Sequence, residues 1–327
     1  MSARGLLGKC VWVVVWLLPW QTPWGDFQVA QAGVVSAVQQ TGTEVTLLGV
    51  NFRDTKLGWA VGAGGVILKT VDGGEHWKSV RGGTRAQLTR VFFADPLRGW
   101  IVGSDGTILH SGDGGETWTR QFSRTQSDLY GVTFLTPSLG WVSGEAGTIL
   151  HTKDGGLTWM DQASGSNAIL YAIYFADKSH GSAVGALGTI LMTDDGGATW
   201  SMQDTQKAAT FFDIFFVDAL NVWTVGNAGA MYQTIDGGKR WVDRTLVCVL
   251  TCSRPSDLMR IRFTDAETGW AVGERGSIYR TTDAGFSWVK QDSPSKNALY
   301  GLSFPDSAHG WASGEQGTIL HISTAPE

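Results

Sequence analysis

The chain has 327 residues, of which 43% are hydrophobic and 17% charged, so it has enough apolar surface for a folded core and does not have the composition of a disordered segment. Its formal net charge of −5 is opposite in sign to that of general nucleic-acid binders, and we expect no nucleic-acid partner. The 44 glycines and 16 tryptophans exceed ordinary usage, and abundant glycine predicts many tight turns between short strands.

The first 32 residues have the features of an export signal. Arg4 and Lys9 form a positive start, residues 11–18 are an apolar run too short to span a membrane, and residues 30–32 (Ala-Gln-Ala) offer a small-x-small cleavage site. We therefore predict a signal peptide at residues 1–32 and export of the chain. The alternative is an uncleaved interfacial anchor, because the stretch between the apolar run and the cleavage site is long.

A repeat of 41 residues runs through the chain. Segments that begin at Gly58, Gly99 and Gly140 read GWAVG, GWIVG and GWVSG. Later copies have their second positions at Ser182, Trp223, Trp270 and Trp311. The step of 47 residues before Trp270 marks a six-residue insertion, and the total is seven copies.

Each copy contains four short apolar stretches separated by Gly, Asp and Pro signals, which predict an antiparallel meander of four strands. Such a meander cannot bury both of its faces alone, so successive copies must stack around an axis. The repeat therefore predicts an all-β domain at residues 33–327, a seven-bladed β-propeller of four-stranded antiparallel blades.

The two ends of the chain complement each other. The seventh copy stops before a fourth strand, and residues 34–40 match the fourth strands of other copies. Gln39 stands 13 residues before Phe52, just as Gln121 stands 13 residues before Phe134. We predict that the N-terminal strand completes the last blade and closes the ring, which removes an exposed sheet edge.

Six copies carry the Asp-box pattern Ser/Thr-x-Asp-x-Gly-x-x-Trp. The aspartate can accept hydrogen bonds from the backbone of its own turn, the glycine supplies unusual dihedral angles, and the tryptophan covers the turn. A calcium loop would need several carboxylates close together in sequence, and residues repeated in every blade serve the blade. We therefore expect no metal and no cofactor. We interpret six aspartates as structural: Asp72, Asp113, Asp154, Asp195, Asp236 and Asp283.

Two cysteines, Cys248 and Cys252, lie four residues apart in the inserted segment. In an exported chain a disulfide is the default interpretation of two such cysteines. No histidine stands within twenty residues to favour a metal site. We predict a disulfide between them.

Breaks in the repeat indicate where function is to be sought. One position of the innermost strand carries a small residue in several copies, as at Gly49 and Gly131, which suits a crowded axis. Charged residues break this pattern at that position or two residues further on: Arg90, Asp213, Arg260 and Arg262. Unpaired guanidinium groups near an axis would repel one another, so they are hydrated, paired with Asp213, or open to an anionic partner.

Further arginines are expected on one face of the disc, formed by the loops between fourth and first strands and between second and third strands. Arg124 and Arg275 are among them, and no arginine occurs between Arg124 and Arg240, so the positive charge is lopsided around the ring. In an acidic protein we interpret this cluster as a site for an anion or an acidic peptide at the tunnel mouth. The alternative is an ordinary solvated surface.

The Gly-Trp-x-Val-Gly strand, the Thr-Ile-Leu-His-Thr strand and the Asp-Gly-Gly-x-Thr-Trp turn resemble the photosystem II stability/assembly factor family of cyanobacteria and chloroplasts. The resemblance extends over essentially the whole chain after the signal. It implies a seven-bladed propeller of the periplasm or thylakoid lumen that acts as a non-enzymatic chaperone for a newly made reaction-centre protein, with an arginine patch involved.

This resemblance implies a protein client, with a membrane-protein segment and peripheral membrane association as further expectations, and we expect a monomer. Two differences from that family mean that the sequence does not identify the client. Many cyanobacterial members look like lipoproteins, whereas this chain has no lipoprotein cysteine, and its blades are more regular.

Protein binding is not the only function associated with Asp-boxes. Asp-boxes also occur in sialidases and other propeller glycoside hydrolases, which need a carboxylate acid/base pair or a tyrosine nucleophile with an arginine triad. No acidic pair stands outside the repeat here and the tyrosines are mostly periodic, so we expect no enzyme. An envelope or glycan-binding scaffold without catalysis is left open by the sequence.

Overall fold

The computed structural model describes residues 34–205, 208–246 and 255–324. These residues form seven four-stranded antiparallel sheets. The first strand of each sheet contacts the first strand of the next, and the seventh contacts the first, so the sheets form a closed ring of blades. The all-β seven-bladed propeller predicted from the repeat is confirmed.

Two sequence predictions fall outside the described residues. The signal peptide at 1–32 and the disulfide between Cys248 and Cys252 both lie there and stay predictions. Within the described ranges, no helix is long and apolar enough to cross a membrane.

The strands are numbered in chain order, and blades 1 to 3 follow the closing strand β1. The bounds of these strands are β1 Val34–Gln39, β2 Leu47–Phe52, β3 Gly58–Gly62, β4 Ile67–Thr70, β5 Lys78–Val80, β6 Leu88–Phe93, β7 Gly99–Gly103, β8 Thr107–Ser111, β9 Thr119–Gln121, β10 Leu129–Phe134, β11 Gly140–Gly144, β12 Ile149–Thr152 and β13 Met160–Asp161. Blade 1 is β2–β5, blade 2 is β6–β9 and blade 3 is β10–β13.

Blades 4 to 7 repeat this order. Their strands are β14 Leu170–Phe175, β15 Gly181–Gly185, β16 Ile190–Thr193, β17 Ser201–Met202, β18 Phe211–Phe216, β19 Val222–Gly226, β20 Met231–Thr234, β21 Val242–Asp243, β22 Leu258–Phe263, β23 Gly269–Gly273, β24 Ile278–Thr281, β25 Val289–Gln291, β26 Leu299–Ser303, β27 His309–Gly314 and β28 Ile319–Thr324. Blades 4, 5 and 6 take four strands each in order, and blade 7 consists of β26, β27, β28 and β1.

Short 3-10 turns join second to third strands in five blades. They are Ala63–Gly65, Glu145–Gly147, Asn227–Gly229, Glu274–Gly276 and Glu315–Gly317. The last residue of each is a glycine with positive φ, such as 71° at Gly147, a conformation that other residues rarely adopt.

Burial is greatest in the second strand of each blade and least in the fourth. The second strands, such as β7, are buried at every position because both of their faces are covered by neighbouring blades. The fourth strands, such as β9, are mostly exposed. The core is therefore divided among the blade junctions.

The predicted ring closure is confirmed. Strand β1 pairs antiparallel with β28, with Val34 opposite Thr324 and Gln39 opposite Ile319. The Gln39 Nε2 then donates to the Gly73 carbonyl of blade 1 at 2.7 Å, so the closing strand also ties blade 7 to blade 1.

Removing the closing strand should lower the melting temperature. A chain that begins at residue 41 leaves β28 as an unpaired edge, and repeat proteins lose stability when a terminal unit is uncapped. We expect its melting temperature, measured by circular dichroism, to fall by at least several degrees relative to a chain that begins at residue 34. Equal melting temperatures for the two chains would contradict the stabilising role of closure.

Stacked aromatic rings join neighbouring blades. The second-strand tryptophan lies on the last phenylalanine of the next inner strand, with ring centroids 3.5 Å apart for Trp59 and Phe93 and 3.6 Å apart for Trp141 and Phe175. The indole Nε1 of Trp59 also donates to the Gly114 carbonyl in the next blade's Asp-box at 3.0 Å. Four of the seven junctions combine buried apolar area with one such hydrogen bond, donated by Trp59, Trp100, Trp141 and Trp311.

The Asp-box aspartates hold their own turns together, as the sequence predicts. In blade 3, Asp154 Oδ1 accepts hydrogen bonds from the Thr158 backbone N–H at 2.9 Å and from the Thr152 hydroxyl at 2.8 Å. Its Oδ2 accepts the Thr158 hydroxyl at 2.6 Å. These hydrogen bonds lower the pKa of Asp154 to about 2, and the one from the Thr158 side chain has the largest effect.

Because the Asp-box aspartates have lowered pKa values, we expect the folded protein to lose stability in acid. The pKa values of Asp113, Asp154 and Asp195 are lowered from 3.8 to about 2, chiefly by hydrogen bonds from the threonine four residues on. A carboxylate with a lowered folded-state pKa stabilises the fold above its unfolded pKa, and this contribution is lost as pH falls through the folded value. We expect the melting temperature to fall between about pH 4 and pH 2.

The matched variant is Thr158→Val, which removes the side-chain donor to Asp154. Its melting temperature should fall less steeply over the same acidic range than that of the wild type. Parallel pH curves for the two proteins would contradict the assignment of Asp154 to acid sensitivity.

Candidate functional site

A cavity of about 450 Å³ lies on the propeller axis, at the end where the inner strands finish. Its walls come from inner-strand residues of six blades and from residues that directly follow them, such as Arg53 and Pro305. Three of the predicted site residues, Arg90, Arg260 and Arg262, line this cavity.

Asp213 is the anionic centre of the cluster, and its side chain is 1% exposed. Its Oδ1 accepts a hydrogen bond from Arg90 Nη2 at 3.0 Å, and its Oδ2 accepts one from Arg262 Nη1 at 2.5 Å. The backbone N–H of Ile261 donates to Oδ2 at 3.2 Å. Residues from blades 2, 5 and 6 therefore meet at one carboxylate.

Arg260 belongs to the same cluster but makes no hydrogen bond to the carboxylate. Its Nη1 donates to the carbonyls of Met259 at 2.7 Å and Phe212 at 3.3 Å. Arg262 is held additionally by the Ile261 carbonyl and by the ring of Phe215, whose centroid lies 5.6 Å from the guanidinium carbon.

Strand geometry explains why these side chains converge. Each inner strand has a β-bulge after its first residue, as between Leu88 and Arg90 and between Phe211 and Asp213. Because the bulge recurs at one position in every blade, equivalent residues reach the same level along the axis. Ring closure then brings Arg90 and Asp213 together although 123 residues separate them in sequence.

The cluster carries an excess of positive charge. Burial would raise the pKa of Asp213, but the charges of Arg262, Arg90 and Arg260 outweigh it and hold the pKa at about 2. Burial, together with Arg90, lowers the pKa of Arg260 to about 9, so it remains protonated at neutral pH. Three guanidinium groups thus share one carboxylate.

Arg90 has unused hydrogen-bonding capacity. Its Nη1 is buried and has no hydrogen-bond partner among the described residues, although its Nη2 binds Asp213. Burial lowers the pKa of Arg90, and the charge of Asp213 opposes that effect. A buried unpartnered donor beside a cavity favours a ligand that supplies an acceptor.

The structure separates two predicted site residues from this cluster. Arg124 lies in the loop after β9, and Arg275 lies in the turn between β23 and β24. Both are exposed and belong to the face where the inner strands begin, opposite the end that holds the cavity. Their part in partner binding stays a prediction.

Arg53 was missed by the sequence argument although it lines the cavity, where its Nη1 donates to the Phe93 carbonyl at 3.2 Å. Other copies carry residues such as Ala94, Leu135 and Ala176 at this position. Arg53 therefore breaks the repeat one residue past the end of its strand, as Arg90 does within its own.

Part of the chain matches a known protein family. Residues 34–122 match the family model described as photosynthesis system II assembly factor YCF48. The chain is similar to photosystem II assembly factors. The match covers the closing strand and the first two blades, and it supports a photosystem II assembly factor-like family, as recognised from the sequence.

Solved structures share the fold. "YCF48 bound to D1 peptide" is 21% identical with a TM-score of 0.73, and the match covers 88% of this chain and 97% of that one. "YCF48 from Cyanidioschyzon merolae" is 22% identical with a TM-score of 0.73, and 88% and 98% are covered. A streptogramin B lyase is 14% identical with a TM-score of 0.75, and 90% and 99% are covered. No curated protein sequence matches the chain.

At these low identities, the similarity shows a shared fold and no shared function. The streptogramin B lyase has a TM-score of 0.75, similar to those of the two YCF48 structures, so the fold alone does not separate binding from catalysis.

Neutralising Asp213 should destabilise the propeller. Asp213→Asn leaves three buried or half-buried guanidinium groups without their shared counter-charge, and breaking a buried ion pair costs about 3–5 kcal/mol. We expect the free energy of unfolding in urea to fall by that amount. Asp105→Asn, which changes an exposed aspartate, is the control and should leave the free energy within about 0.5 kcal/mol of the wild type. Equal effects of the two substitutions would contradict the central role of Asp213.

Proposed function

We propose that this propeller is an exported, non-enzymatic binding protein that holds an acidic peptide segment of a membrane-protein client at its axial cavity. One observation carries the proposal: Arg90, Arg260 and Arg262 lie around a single carboxylate, Asp213, at a cavity on the axis, and only Arg90 and Arg262 of the three form an ion pair with it. Guanidinium groups bind carboxylates through paired, charge-assisted hydrogen bonds.

The size of the cavity favours a peptide over a folded partner. A volume of about 450 Å³ accommodates one or two side chains or a chain end. An anionic side chain or terminal carboxylate entering there would lie beside Arg90, Arg260 and Arg262, which line the cavity. The rest of the client would then lie across the face formed by the ends of the inner strands.

The chemistry of the cavity wall supports binding over catalysis. The residues that line it include arginines, aromatic residues and small residues, with no Asp, Glu, His or Cys among them. Tyr174 also lines it beside the arginines, but burial raises the pKa of its hydroxyl, which opposes the ionisation that a tyrosine nucleophile needs. Asp213 beside it is engaged by Arg90 and Arg262 and has a pKa of about 2, which does not suit a general acid or base at neutral pH.

Similarity to known proteins supports the choice of client. A propeller of this fold has been solved as YCF48 bound to a D1 peptide, and the family model that matches residues 34–122 is that of a photosystem II assembly factor. By analogy we propose a membrane-protein segment as client, a monomeric propeller that associates peripherally with the membrane, and a location in the periplasm or thylakoid lumen.

Removing the charge cluster should abolish capture of an acidic peptide. The variant Arg90→Gln/Arg260→Gln/Arg262→Gln also needs Asp213→Asn, because otherwise a buried carboxylate would lose its partners. A charge-assisted hydrogen bond contributes about 1.5–3 kcal/mol, so we expect the affinity for a fluorescent D1 peptide to fall at least tenfold in a polarisation titration. The salt dependence of binding should flatten as well.

Two controls make this result specific. Arg124→Gln/Arg275→Gln removes two arginines from the opposite face and should retain the affinity for the peptide. The same peptide with its carboxylates amidated should bind the wild type as weakly as the unmodified peptide binds the quadruple variant. Unchanged affinity of a folded quadruple variant, checked by circular dichroism, would show that the axial cavity is not the binding site.

A further inference from the structure

The junction between blades 4 and 5 departs from the others. Where neighbouring second strands carry tryptophan, β15 carries Ser182, which is fully buried. Its hydroxyl donates to the Leu191 carbonyl at 2.7 Å within the same blade. No side chain from this position therefore crosses to the next blade.

A second link is missing at the same junction. At three other junctions a glutamine at the end of the fourth strand binds the next Asp-box, as Gln121 Nε2 does at the Gly155 carbonyl at 2.8 Å. The corresponding Gln203 instead turns back, and its Nε2 donates to Ser201 Oγ at 3.0 Å. The Gly237 carbonyl, equivalent to that of Gly155, thus receives neither the indole nor the amide.

An open pocket of about 600 Å³ lies at this junction, where there is no indole and Gln203 lines the wall without reaching the Gly237 carbonyl. Gly237 lines it together with Trp200, Phe216 and Leu220. Met192 occupies the inner part, since its Cε lies 3.1 Å from the position that a Cβ on Gly238 would take. Methionine is flexible and fills irregular gaps, so it can yield to a better-fitting group.

The other junctions show which chemical group this pocket fits. At four of them an indole lies on the phenylalanine equivalent to Phe216, with centroids 3.5–3.7 Å apart. The indole N–H of those same tryptophans donates to the carbonyl equivalent to that of Gly237, at 3.0–3.3 Å. The pocket thus retains the carbonyl acceptor and the phenylalanine of an indole site while lacking the indole.

We propose that the pocket between blades 4 and 5 binds a tryptophan side chain of a partner polypeptide. The indole enters beside Met192 and Phe216, and its N–H donates to the Gly237 carbonyl. An apolar cavity of about 150 Å³ holds a benzene ring in another protein, so the space here is sufficient for the larger indole. This site is separate from the arginine cluster and does not depend on the function proposed for it.

The first test measures binding of N-acetyl-tryptophanamide to the full chain by saturation-transfer NMR. We expect binding in the millimolar range or tighter. N-acetyl-1-methyltryptophanamide lacks only the indole N–H and should bind about threefold to tenfold more weakly, the effect of one lost hydrogen bond. N-acetyl-leucinamide should show no measurable transfer.

The second test fills the pocket from within. Ser182→Trp/Met192→His reproduces the pair found in other blades, such as Trp141 with His151, whose rings stack at 4.9 Å between centroids. This variant should lose binding of N-acetyl-tryptophanamide at least tenfold and melt several degrees higher, because the pocket is filled. Thr119→Trp, on the exposed strand β9, adds a tryptophan elsewhere and should leave binding unchanged.

Three outcomes would overturn the proposal. The first is no saturation transfer from N-acetyl-tryptophanamide at millimolar concentration. The second is equal binding of the methylated and unmethylated compounds. The third is undiminished binding by a folded Ser182→Trp/Met192→His variant.

Discussion

A blade of this propeller cannot cover its own core, and the contact that covers it comes from the neighbouring blade. A tryptophan from the second strand lies on a phenylalanine of the next inner strand, and its N–H reaches the next Asp-box. Removing a buried tryptophan side chain costs about 3–5 kcal/mol, whereas a neutral hydrogen bond contributes about 0.5–1.5 kcal/mol. The apolar stacking therefore supplies most of the stability, and the hydrogen bond sets where the indole lies.

This contact recurs at four of the seven junctions. Because blades are coupled to their neighbours in this way, the two chain ends must meet. The closing strand satisfies that requirement twice, through its pairing with β28 and through Gln39, which binds the Asp-box of blade 1. Asp-boxes contribute at a smaller scale, since each orders one turn with donors from its own residues. Closure at the rim in turn determines the spacing of the inner strands at the axis.

At the axis, the repeat contains charged residues whose burial costs free energy. Burying three guanidinium groups around one carboxylate is expensive, and an apolar cluster of similar volume would often be as stable or more so. Stability alone therefore does not explain Arg90, Arg260 and Arg262. Arg90 Nη1 has no partner among the described residues and the site carries excess positive charge, and both features support the proposal of an anionic ligand there.

The sequence by itself determined the architecture, because a period of 41 residues with four strand signals per copy admits few folds. It also determined the closing strand, the structural role of the Asp-box aspartates and the candidate residues Arg90, Asp213, Arg260 and Arg262, since each either fits the repeat or breaks it. Only the tertiary structure decided which of these side chains bind one another. It placed Arg53 beside them and put Arg124 and Arg275 at the opposite face. The physical reason is that periodicity records the position of a residue within its blade, whereas contacts across the axis depend on how seven blades close around it.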